Sequence, residues 1–327
     1  MIKPAILLMS FGTPAKASQL PNYYRRIQHG RYPHQRVIRR IAKYYQLTGG
    51  IEYFAEINYQ QGAAVAAMLS EAGIHCPIAL GFLHVTPSIE AKVRELVEAG
   101  VTDIYGLPLM PYYSNYQSEA YHRAVVNELR KFSGITYHRV NGLWNQPALL
   151  TYWQDQLIAA KRRHPWQAEK TQFLFIADAL PRRVGGADPY RHSVELNARR
   201  ISHMLGLTGE QYAIGWVHSP RIFQPDRSKV KPIEKQIKHL VGKRHASTIV
   251  VVPIGFLTDS LLLDYDVCIK LRQFVMDLGA SMIQLPVPNA SPELIKAITD
   301  KLILSLDQAA LTAVHKEQDE RPKNFLA

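Results

Sequence analysis

Long apolar runs and paired cysteines are both missing from the chain. No stretch of its 327 residues approaches the roughly 18 apolar residues that a membrane-spanning helix needs. The two cysteines, Cys76 and Cys268, are far apart and lack metal-binding spacing, so we expect reduced thiols in apolar surroundings. No signal peptide is recognised, because Met1-Ile-Lys-Pro leads directly into an apolar segment. These absences predict a cytoplasmic protein without a membrane span.

The Gly-x-Gly-x-x-Gly fingerprint of dinucleotide binding is also missing after the early apolar segments, which leaves a nucleotide-binding function with little support. The net charge is +12, and much of it is concentrated within residues 25–43. Nucleic acid binds such basic clusters, but no helix-turn-helix, zinc-finger or RNA-binding motif is present, so we predict no nucleic-acid partner. A small molecule with carboxylates fits the cluster at least as well, and a solvated basic helix face remains the plain alternative. The cluster comprises Arg25, Arg26, Arg31, Arg36, Arg39, Arg40 and Lys43.

Apolar strand-like segments alternate with helical segments along nearly the whole chain. The predicted strands are 5–9, 77–83, 103–110, 136–140, 171–177, 211–217, 247–254 and 281–285. The predicted helices are 17–28, 35–45, 57–69, 86–98, 115–132, 147–163, 188–205, 231–241, 259–278 and 292–313. Such alternation predicts parallel sheets joined by right-handed crossovers.

The pattern restarts after Gly142, and the chain is too long for one ordinary core. We therefore predict two Rossmann-like, doubly wound α/β domains with a cleft between them. Their boundaries are residues 1–142 and 143–313, followed by a polar tail over residues 314–327.

The segment from Ile176 to Tyr190 places an acidic residue at a position that suits a site. It follows an apolar run that is typical of a buried parallel strand, so Asp178 stands at the carboxyl end of a central strand. Open α/β sheets bind ligands at such ends. Asp188-Pro189 then indicates the start of a helix, with Asp as the N-cap and proline in the first turn. For spacing alone, an ordinary strand–loop–helix connection is the favoured explanation.

Several motifs together resemble the ferrochelatase family. Ala-Asp-Ala-Leu-Pro at 177–181, followed by Asp-Pro-Tyr at 188–190, resembles the family's Ala-His-Ser-Leu-Pro and Gly-Asp-Pro-Tyr. Further matches are Phe-Gly-Thr-Pro at 11–14, Thr-Gly-Gly-Ile at 48–51, Pro-Tyr-Tyr-Ser at 111–114 and Val-Pro-Ile-Gly-Phe-Leu-Thr-Asp at 252–259. They occur in the family's order, and the chain is most like the soluble, monomeric coproporphyrin-type enzymes of Gram-positive bacteria. The resemblance also implies that the last helix packs back on the first domain.

The departures from the family pattern fall on the residues that carry its chemistry. The family's metal- and proton-handling His is Asp178 here, its facing Glu is Leu262, and the Tyr that approaches the metal is Phe11. Iron insertion must remove two protons from pyrrole nitrogens, which requires a base with a pKa near neutrality. Leucine accepts no proton, and Asp, with a usual pKa of ~3.9, is a weak base unless burial raises it. The catalytic positions Asp178 and Leu262 thus predict a relaxed or redirected function.

The resemblance further implies how a tetrapyrrole would be held. Arg26 and Arg31, and less directly Arg25 and Arg40, would neutralise the ring's propionates, because guanidinium groups match carboxylates. Candidate ligands of a haem iron stand at strand ends, where tyrosinate and imidazole are known haem ligands, although such residues are more often simply packed. These candidates are, in order of preference, a strand-end tyrosine (Tyr112 or Tyr113) and then His84, with Asp178 and His218 as further cleft residues. The remaining slot residues are Phe11, Leu83, Phe256 and Leu262, together with Ser114 of the matching turn.

Two functions from different classes follow. In the first, the chain is a haem- or porphyrin-binding protein on a ferrochelatase scaffold, with haem or coproporphyrin as its ligand and iron insertion weak or lost. Such a pseudoenzyme would serve haem delivery, storage or sensing, with a haem donor or acceptor protein as partner. In the second, it is a working coproporphyrin ferrochelatase of haem biosynthesis, which inserts Fe²⁺ with the help of Asp178, His84 and a tyrosine.

Overall fold

The computed structural model describes residues 3–181, 184, 188–217 and 233–319, with side chains described as far as residue 307. It contains two four-stranded sheets in which every pairing is parallel, and this confirms the predicted α/β class with doubly wound sheets. The first sheet consists of β1 Pro4–Ser10, β2 Ile78–Phe82, β3 Asp103–Pro108 and β4 Thr136–Arg139. The second consists of β5 Thr171–Asp178, β6 Tyr212–Val217, β7 Thr248–Val252 and β8 Ser281–Gln284.

Helices connect the strands and cover the sheets. They are α1 Leu20–Ile27, α2 Gln35–Leu47, α3 Ile51–Glu71, α4 Ile89–Glu98, α5 Ser118–Leu129, α6 Pro147–Arg163, α7 Pro189–Met204, α8 Ile233–Arg244, α9 Arg272–Asp277 and α10 Pro292–Asp319. Within the described ranges, none of the helices combines the length and apolar character of a transmembrane span.

Continuous apolar runs explain why the central strands lie in the core. Every side chain from Ala5 to Met9 is fully buried, and β5 is buried from Thr171 to Ala177. Runs of this kind are typical of parallel strands that helices cover on both faces. Asp178 is the first residue of β5 with partial exposure, so the strand ends where the chain meets the cleft.

Each sheet reverses its winding direction beside its first strand. The strand order is β2-β1-β3-β4 in the first sheet and β6-β5-β7-β8 in the second. A reversal of this kind opens a crevice at the carboxyl ends of the strands, where open sheets bind ligands. Phe11 follows β1, His84 lies shortly after β2, Tyr112 shortly after β3, and Asp178 ends β5. The fold therefore puts these predicted site residues at the expected edges of the two sheets.

One apolar core extends across the predicted domain boundary at Gly142. It joins Ile6 of β1 with Phe175 of β5 and Ile298 of α10. Helix α10 packs against both α3 and α6, so the last helix contacts the first half of the chain, as the resemblance implied. Since the apolar packing is continuous between the halves, the division into residues 1–142 and 143–313 stays a prediction. Helix α10 continues to Asp319, into the segment predicted as a polar tail.

Two helices differ from the expected pattern. The segment predicted as one α-helix over 259–278 begins as a π-helix at Leu262–Leu271 and continues as α9. Sequence periodicity does not reveal such wider turns, which occur frequently at functional sites. Helix α3 begins at Ile51, ahead of the predicted residue 57, directly after Gly49 and Gly50, which adopt φ angles of 94° and 99°. Glycine tolerates these angles, and the chain can therefore turn sharply between α2 and α3.

Candidate functional site

A cavity of about 290 Å³ lies at the carboxyl ends of β1 and β2, next to α1 and α3. Its walls include the aromatic rings of Tyr23, Tyr59 and Phe82, together with the side chains of Arg26 and His84. Aromatic walls with one cation suit a flat apolar ligand that carries an anionic group.

Two residues predicted for the site, Arg26 and His84, line this cavity, and a third, Phe11, packs against His84. The rings of Phe11 and His84 have their centroids 4.3 Å apart, at an interplanar angle of 60°. Arg26 Nη1 donates a hydrogen bond to the backbone oxygen of His84 at 3.4 Å, and the His84 amide donates to the Phe11 oxygen at 3.2 Å. The side chain of Phe11 is 43% exposed and is therefore available to a ligand.

The turn after β1 brings these loops close together. Gly12 has a φ of 83°, and its backbone oxygen accepts a hydrogen bond from the Tyr23 hydroxyl at 3.1 Å. A Cβ at this position would collide with Val85. Glycine is thus required both by the backbone angle and by the close approach of the loop after β2, which carries His84.

The imidazole of His84 is held in its neutral form. Burial is the main cause that lowers its pKa from 6.5 to about 4, and the neighbouring His29 and Arg26 act in the same direction. At neutral pH the ring therefore keeps a free lone pair, which can accept a proton or bind a metal.

Asp178 has a proton affinity that its residue type does not suggest. Asp178 is partly exposed at the end of β5, but its carboxyl is desolvated, which raises its pKa from 3.8 to about 7. A side-chain hydrogen bond from Gln117 only partly opposes the effect. An aspartate can act as a base near neutral pH when burial raises its pKa, and Asp178 has such a raised pKa. Asp178 is not among the residues that line the cavity beside His84.

The two candidate tyrosines occupy different environments. Tyr112 is 1% exposed, and its hydroxyl accepts a hydrogen bond from Asn197 Nδ2 at 2.8 Å. Burial raises the pKa of Tyr112, so the tyrosinate needed for iron ligation is disfavoured. The Tyr113 hydroxyl, which is less buried, lies 3.5 Å from Glu119, and burial, followed by the Glu119 charge, raises its pKa. The geometry therefore gives Tyr112 a packing role and leaves Tyr113 nearer to solvent.

Ser114 connects the two halves of the chain. Its buried hydroxyl donates to Asp188 Oδ2 at 2.9 Å and accepts hydrogen bonds from the amides of Tyr116 and Gln117 at 3.1 Å. Asp188 Oδ1 accepts in turn from the amide of Tyr190 at 2.9 Å, which confirms Asp188 as the N-cap of α7. The hydroxyl of Ser114, a predicted tetrapyrrole contact, therefore makes its hydrogen bonds within the protein.

The predicted apolar slot residues are distributed between two clusters. Phe256 is buried in the apolar cluster of the second sheet, and Leu262 packs against the same cluster from the start of the π-helix. Leu83 packs against the core of the first sheet instead. None of these three lines the 290 Å³ cavity.

The remaining predicted cations lie outside the cavity lining. Arg31 and Arg40 are exposed, and the Arg25 guanidinium lies 5.1 Å from the centroid of the Tyr32 ring. Of the four arginines predicted to meet propionates, Arg26 is the one that lines the cavity. His218 lies outside the described residues.

Contacts that the sequence did not indicate join α2 and α3 to the segment after β7. The rings of Tyr44 and Tyr265 stack with centroids 3.7 Å apart, and Lys270 Nζ lies 4.5 Å from the Tyr265 centroid. The Tyr53 hydroxyl donates to Asp259 Oδ2 at 2.6 Å. These contacts hold the first half of the chain against the π-helix, across the cleft.

A second carboxyl with an unusual proton affinity stands on the π-helix. Burial, and next the neighbouring Asp259, raise the pKa of Asp264 to about 7. The sequence gives no signal for this residue, because its raised pKa depends on burial and on the neighbouring Asp259 in the folded chain. In the part of the chain that the structure describes, no three His, Cys, Asp or Glu side chains are grouped so that they could hold a metal ion.

Comparison with known proteins agrees with the motifs. The Ferrochelatase family model matches residues 3–305. The Coproporphyrin III ferrochelatase of Bacillus subtilis (strain 168) is 28% identical over 308 residues, which cover 93% of this chain and 98% of the relative. The Coproporphyrin III ferrochelatase of Geobacillus kaustophilus (strain HTA426) is 28% identical over 302 residues, covering 91% and 94%.

Solved structures of chelatases share the architecture. SirB from Bacillus subtilis with Fe³⁺ has a TM-score of 0.59 at 14% identity, covering 93% of this chain and 96% of that one. CbiX, the terminal enzyme for biosynthesis of siroheme in denitrifying bacteria, has a TM-score of 0.52 at 13% identity, covering 92% and 98%. At this level of identity the likeness concerns the fold alone.

Proposed function

The chain belongs to the ferrochelatase family, and on this premise we propose that it binds a tetrapyrrole, haem or coproporphyrin, while its iron insertion is weak or lost. In this proposal the protein is a cytoplasmic monomer that delivers, stores or senses haem, and it exchanges the ring with a donor or acceptor protein.

The observation that carries the proposal is the cavity beside β1 and β2. His84 offers a flat surface on the cavity wall, with Phe11 packed against it, and Arg26 offers a donor for one carboxylate of the ring. The volume of about 290 Å³ is at the low end for ligand pockets, so the cavity accommodates one edge of the macrocycle.

Weak insertion follows from the chemistry of the replaced positions. Leu262 packs against an apolar cluster, and its aliphatic side chain neither accepts a proton nor attracts a hydrated cation. Haem already contains its iron and needs only a slot, partners for its propionates and an axial ligand. His84 is the favoured axial ligand, because it is neutral and faces the cavity, whereas the hydroxyl of Tyr112 is buried in a hydrogen bond.

A second function, a working coproporphyrin ferrochelatase, is favoured by one specific observation. The pKa of Asp178, raised to about 7 by burial, gives this carboxyl the proton affinity of an imidazole. If Asp178 faces the bound ring, it can accept a pyrrole proton at neutral pH, and ferrous iron is then a substrate of the protein.

Anaerobic titration separates the two functions. Purified protein is mixed with metal-free coproporphyrin III and with haem, ferrous iron is added, and the absorption spectrum is followed. We expect binding of both rings and little conversion to the iron form. Turnover at about 1 per second or faster would instead assign the working enzyme.

Two variants sharpen the result. Asp178→His combined with Leu262→Glu restores the family's proton-handling pair and should raise the insertion rate. Leu262→Met serves as the matched control, since it changes the same position without adding a charge and should leave the rate at the wild-type level. Absence of ring binding in the wild type would remove the proposal altogether.

A further inference from the structure

The first 51 residues contain nine Lys or Arg and no Asp or Glu, so they account for nine of the twelve net positive charges of the chain. All nine cations are exposed, and among the described residues none of them forms an ion pair. Eight belong to the loop before α1, to α1 and α2 and to the loop between these helices, and we name them the cationic face. They are Lys16, Arg25, Arg26, Arg31, Arg36, Arg39, Arg40 and Lys43.

One compact unit carries this face. Helices α1 and α2 and the start of α3 share an apolar cluster that includes Tyr24, Ile41 and Phe54. The inner side of α2 is fixed by that cluster, and its exposed cations point away from it. The helices that carry most of the cationic face are therefore packed against each other and hold its cations on one unit.

The stability of α2 does not explain its cations. Arg36 and Arg40, and likewise Arg39 and Lys43, are like charges four residues apart, and such pairs destabilise a helix. Arg36 also lies in the first turn, where the helix dipole favours an anion. A local structural role would place acidic residues here, so the cations point to an external anionic partner.

The ligand of the cavity does not explain them either. Of the eight cations, Arg26 alone lines the cavity. Arg36, Arg40, Lys43 and Leu47 follow the i, i+4, i+7, i+11 pattern of one helix stripe, about 16 Å long, which no small ring would cover. The partner must be a larger surface.

We propose that the cationic face docks the protein on an anionic lipid surface. Protein surfaces usually present both signs of charge, whereas an anionic leaflet presents one sign, and it complements the segment of residues 1–51, which has no acidic residue. Exposed apolar side chains flank the cations, with Tyr32 62% and Leu47 55% exposed at the two ends of α2. Tyrosine beside arginine is the usual composition of membrane-interface contacts.

Docking through the cationic face would also bring the cavity close to the lipid surface. Arg26 belongs both to the cationic face and to the cavity lining, so the bilayer lies near the cavity. The inference does not rest on the proposed function, since α2 acts through residues that are outside the cavity.

Vesicle flotation tests the proposal. Wild-type protein is floated with vesicles of phosphatidylcholine alone and with an equimolar mixture of phosphatidylcholine and phosphatidylglycerol, at low and at high salt. We expect binding to the anionic vesicles alone, and we expect salt to abolish it. Combining Arg36→Gln, Arg39→Gln, Arg40→Gln and Lys43→Gln should weaken binding by about 100-fold or more, because each cation near the surface contributes.

The matched control removes four exposed cations elsewhere, through Lys161→Gln, Arg162→Gln, Arg163→Gln and Lys170→Gln. It should bind within about tenfold of wild type, although the net charge of both variants is the same. The α2 variant should be at least as stable as wild type, since like-charge repulsion is removed, and circular dichroism checks its folding. Equal losses in the two variants, equal binding to neutral vesicles, or tighter binding to a single-stranded oligonucleotide than to anionic vesicles would each overturn the proposal.

Discussion

His84 and Asp178 stand at strand ends of different sheets, and burial acts on them with opposite results. It lowers the pKa of His84 to about 4 and raises that of Asp178 to about 7. In both cases the neutral form is favoured, because desolvation penalises charge. At neutral pH the imidazole therefore does not titrate, whereas the carboxyl does. In water a histidine titrates near neutral pH and an aspartate does not, and in this protein the two residues behave the other way round.

The surroundings of each group explain the difference. The neighbouring His29 and Arg26 add to the effect of burial on His84, since a nearby guanidinium disfavours an imidazolium. At Asp178 the Gln117 hydrogen bond favours the charged form, but burial outweighs it. If position 178 corresponds to the family's His, as the motif resemblance implies, Asp178 supplies a different residue with a pKa that is also near 7.

The largest expected effect is the pH dependence that Asp178 imposes on stability. Its folded-state pKa of about 7 lies above the unfolded value of 3.8, so the folded protein binds this proton more tightly between these pH values. The contribution is complete below about pH 4 and is lost as the pH rises through 7. Relative to Asp178→Asn, wild type should lose up to about 4 kcal/mol of unfolding free energy across this window.

Urea unfolding at a series of pH values measures this difference. The exposed Asp155→Asn is the matched control, because it makes the same chemical change without burial, and it should keep the wild-type pH profile. Parallel curves for wild type and Asp178→Asn would mean that Asp178 is solvated, and that its role as a base near neutrality is lost.

His84 should show the opposite dependence with a smaller amplitude. Its folded-state pKa of about 4 lies below the unfolded value of 6.5, so its stabilising contribution is present above pH 6.5 and lost as the pH falls through 4. We expect wild type to lose about 2 to 3 kcal/mol relative to His84→Gln over that range. The exposed His75→Gln is the control. An NMR titration of the His84 ring with a midpoint near 6.5 would contradict the prediction and indicate a hydrated cavity.

Much of the fold could be predicted because it depends on local patterns. The apolar runs of β1 and β5 and the Asp188-Pro189 cap appear in the structure where the sequence placed them. The contact between Phe11 and His84 also follows from the sequence, because both residues come soon after strands and parallel strands present their carboxyl ends at one edge.

Features that depend on distant contacts could not be predicted. The pKa of Asp178 depends on its burial near Gln117, which belongs to the other half of the chain. Tyr112 has the same local signal as an exposed strand-end ligand, and only its contact with Asn197 of α7 shows that it is buried. The apolar pattern of residues 262–271 does not distinguish a π-helix from an α-helix, so the sequence predicts an α-helix where the structure has a π-helix.

The role of the Arg26 and Arg31 charges in porphyrin binding can be tested directly. Combining Arg26→Ala with Arg31→Ala should weaken binding of coproporphyrin by about tenfold or more, since a charge-assisted pair with a carboxylate is lost. The tetramethyl ester of the same porphyrin is the control ligand, because it has no charge to neutralise. Equal weakening for the acid and the ester would mean that the arginines act by shape alone. Because Arg26 lines the cavity and Arg31 does not, the single change Arg26→Ala should account for most of the loss.

The smallest expected effect on stability comes from Tyr112 and Tyr113, the two adjacent tyrosines after β3. Tyr112→Phe removes the hydroxyl that accepts a hydrogen bond from Asn197, so it should cost about 1 kcal/mol of stability. It should leave the absorption and electron spin resonance spectra of bound ferric haem unchanged, because a buried, hydrogen-bonded phenol does not reach the ring. Tyr113→Phe, the matched control, loses a 3.5 Å contact with Glu119 and should affect stability less. His84→Ala should alter the spectra if its neutral imidazole is the axial ligand. A changed haem spectrum in Tyr112→Phe would return that tyrosine to the site and place the ring between the two halves of the chain.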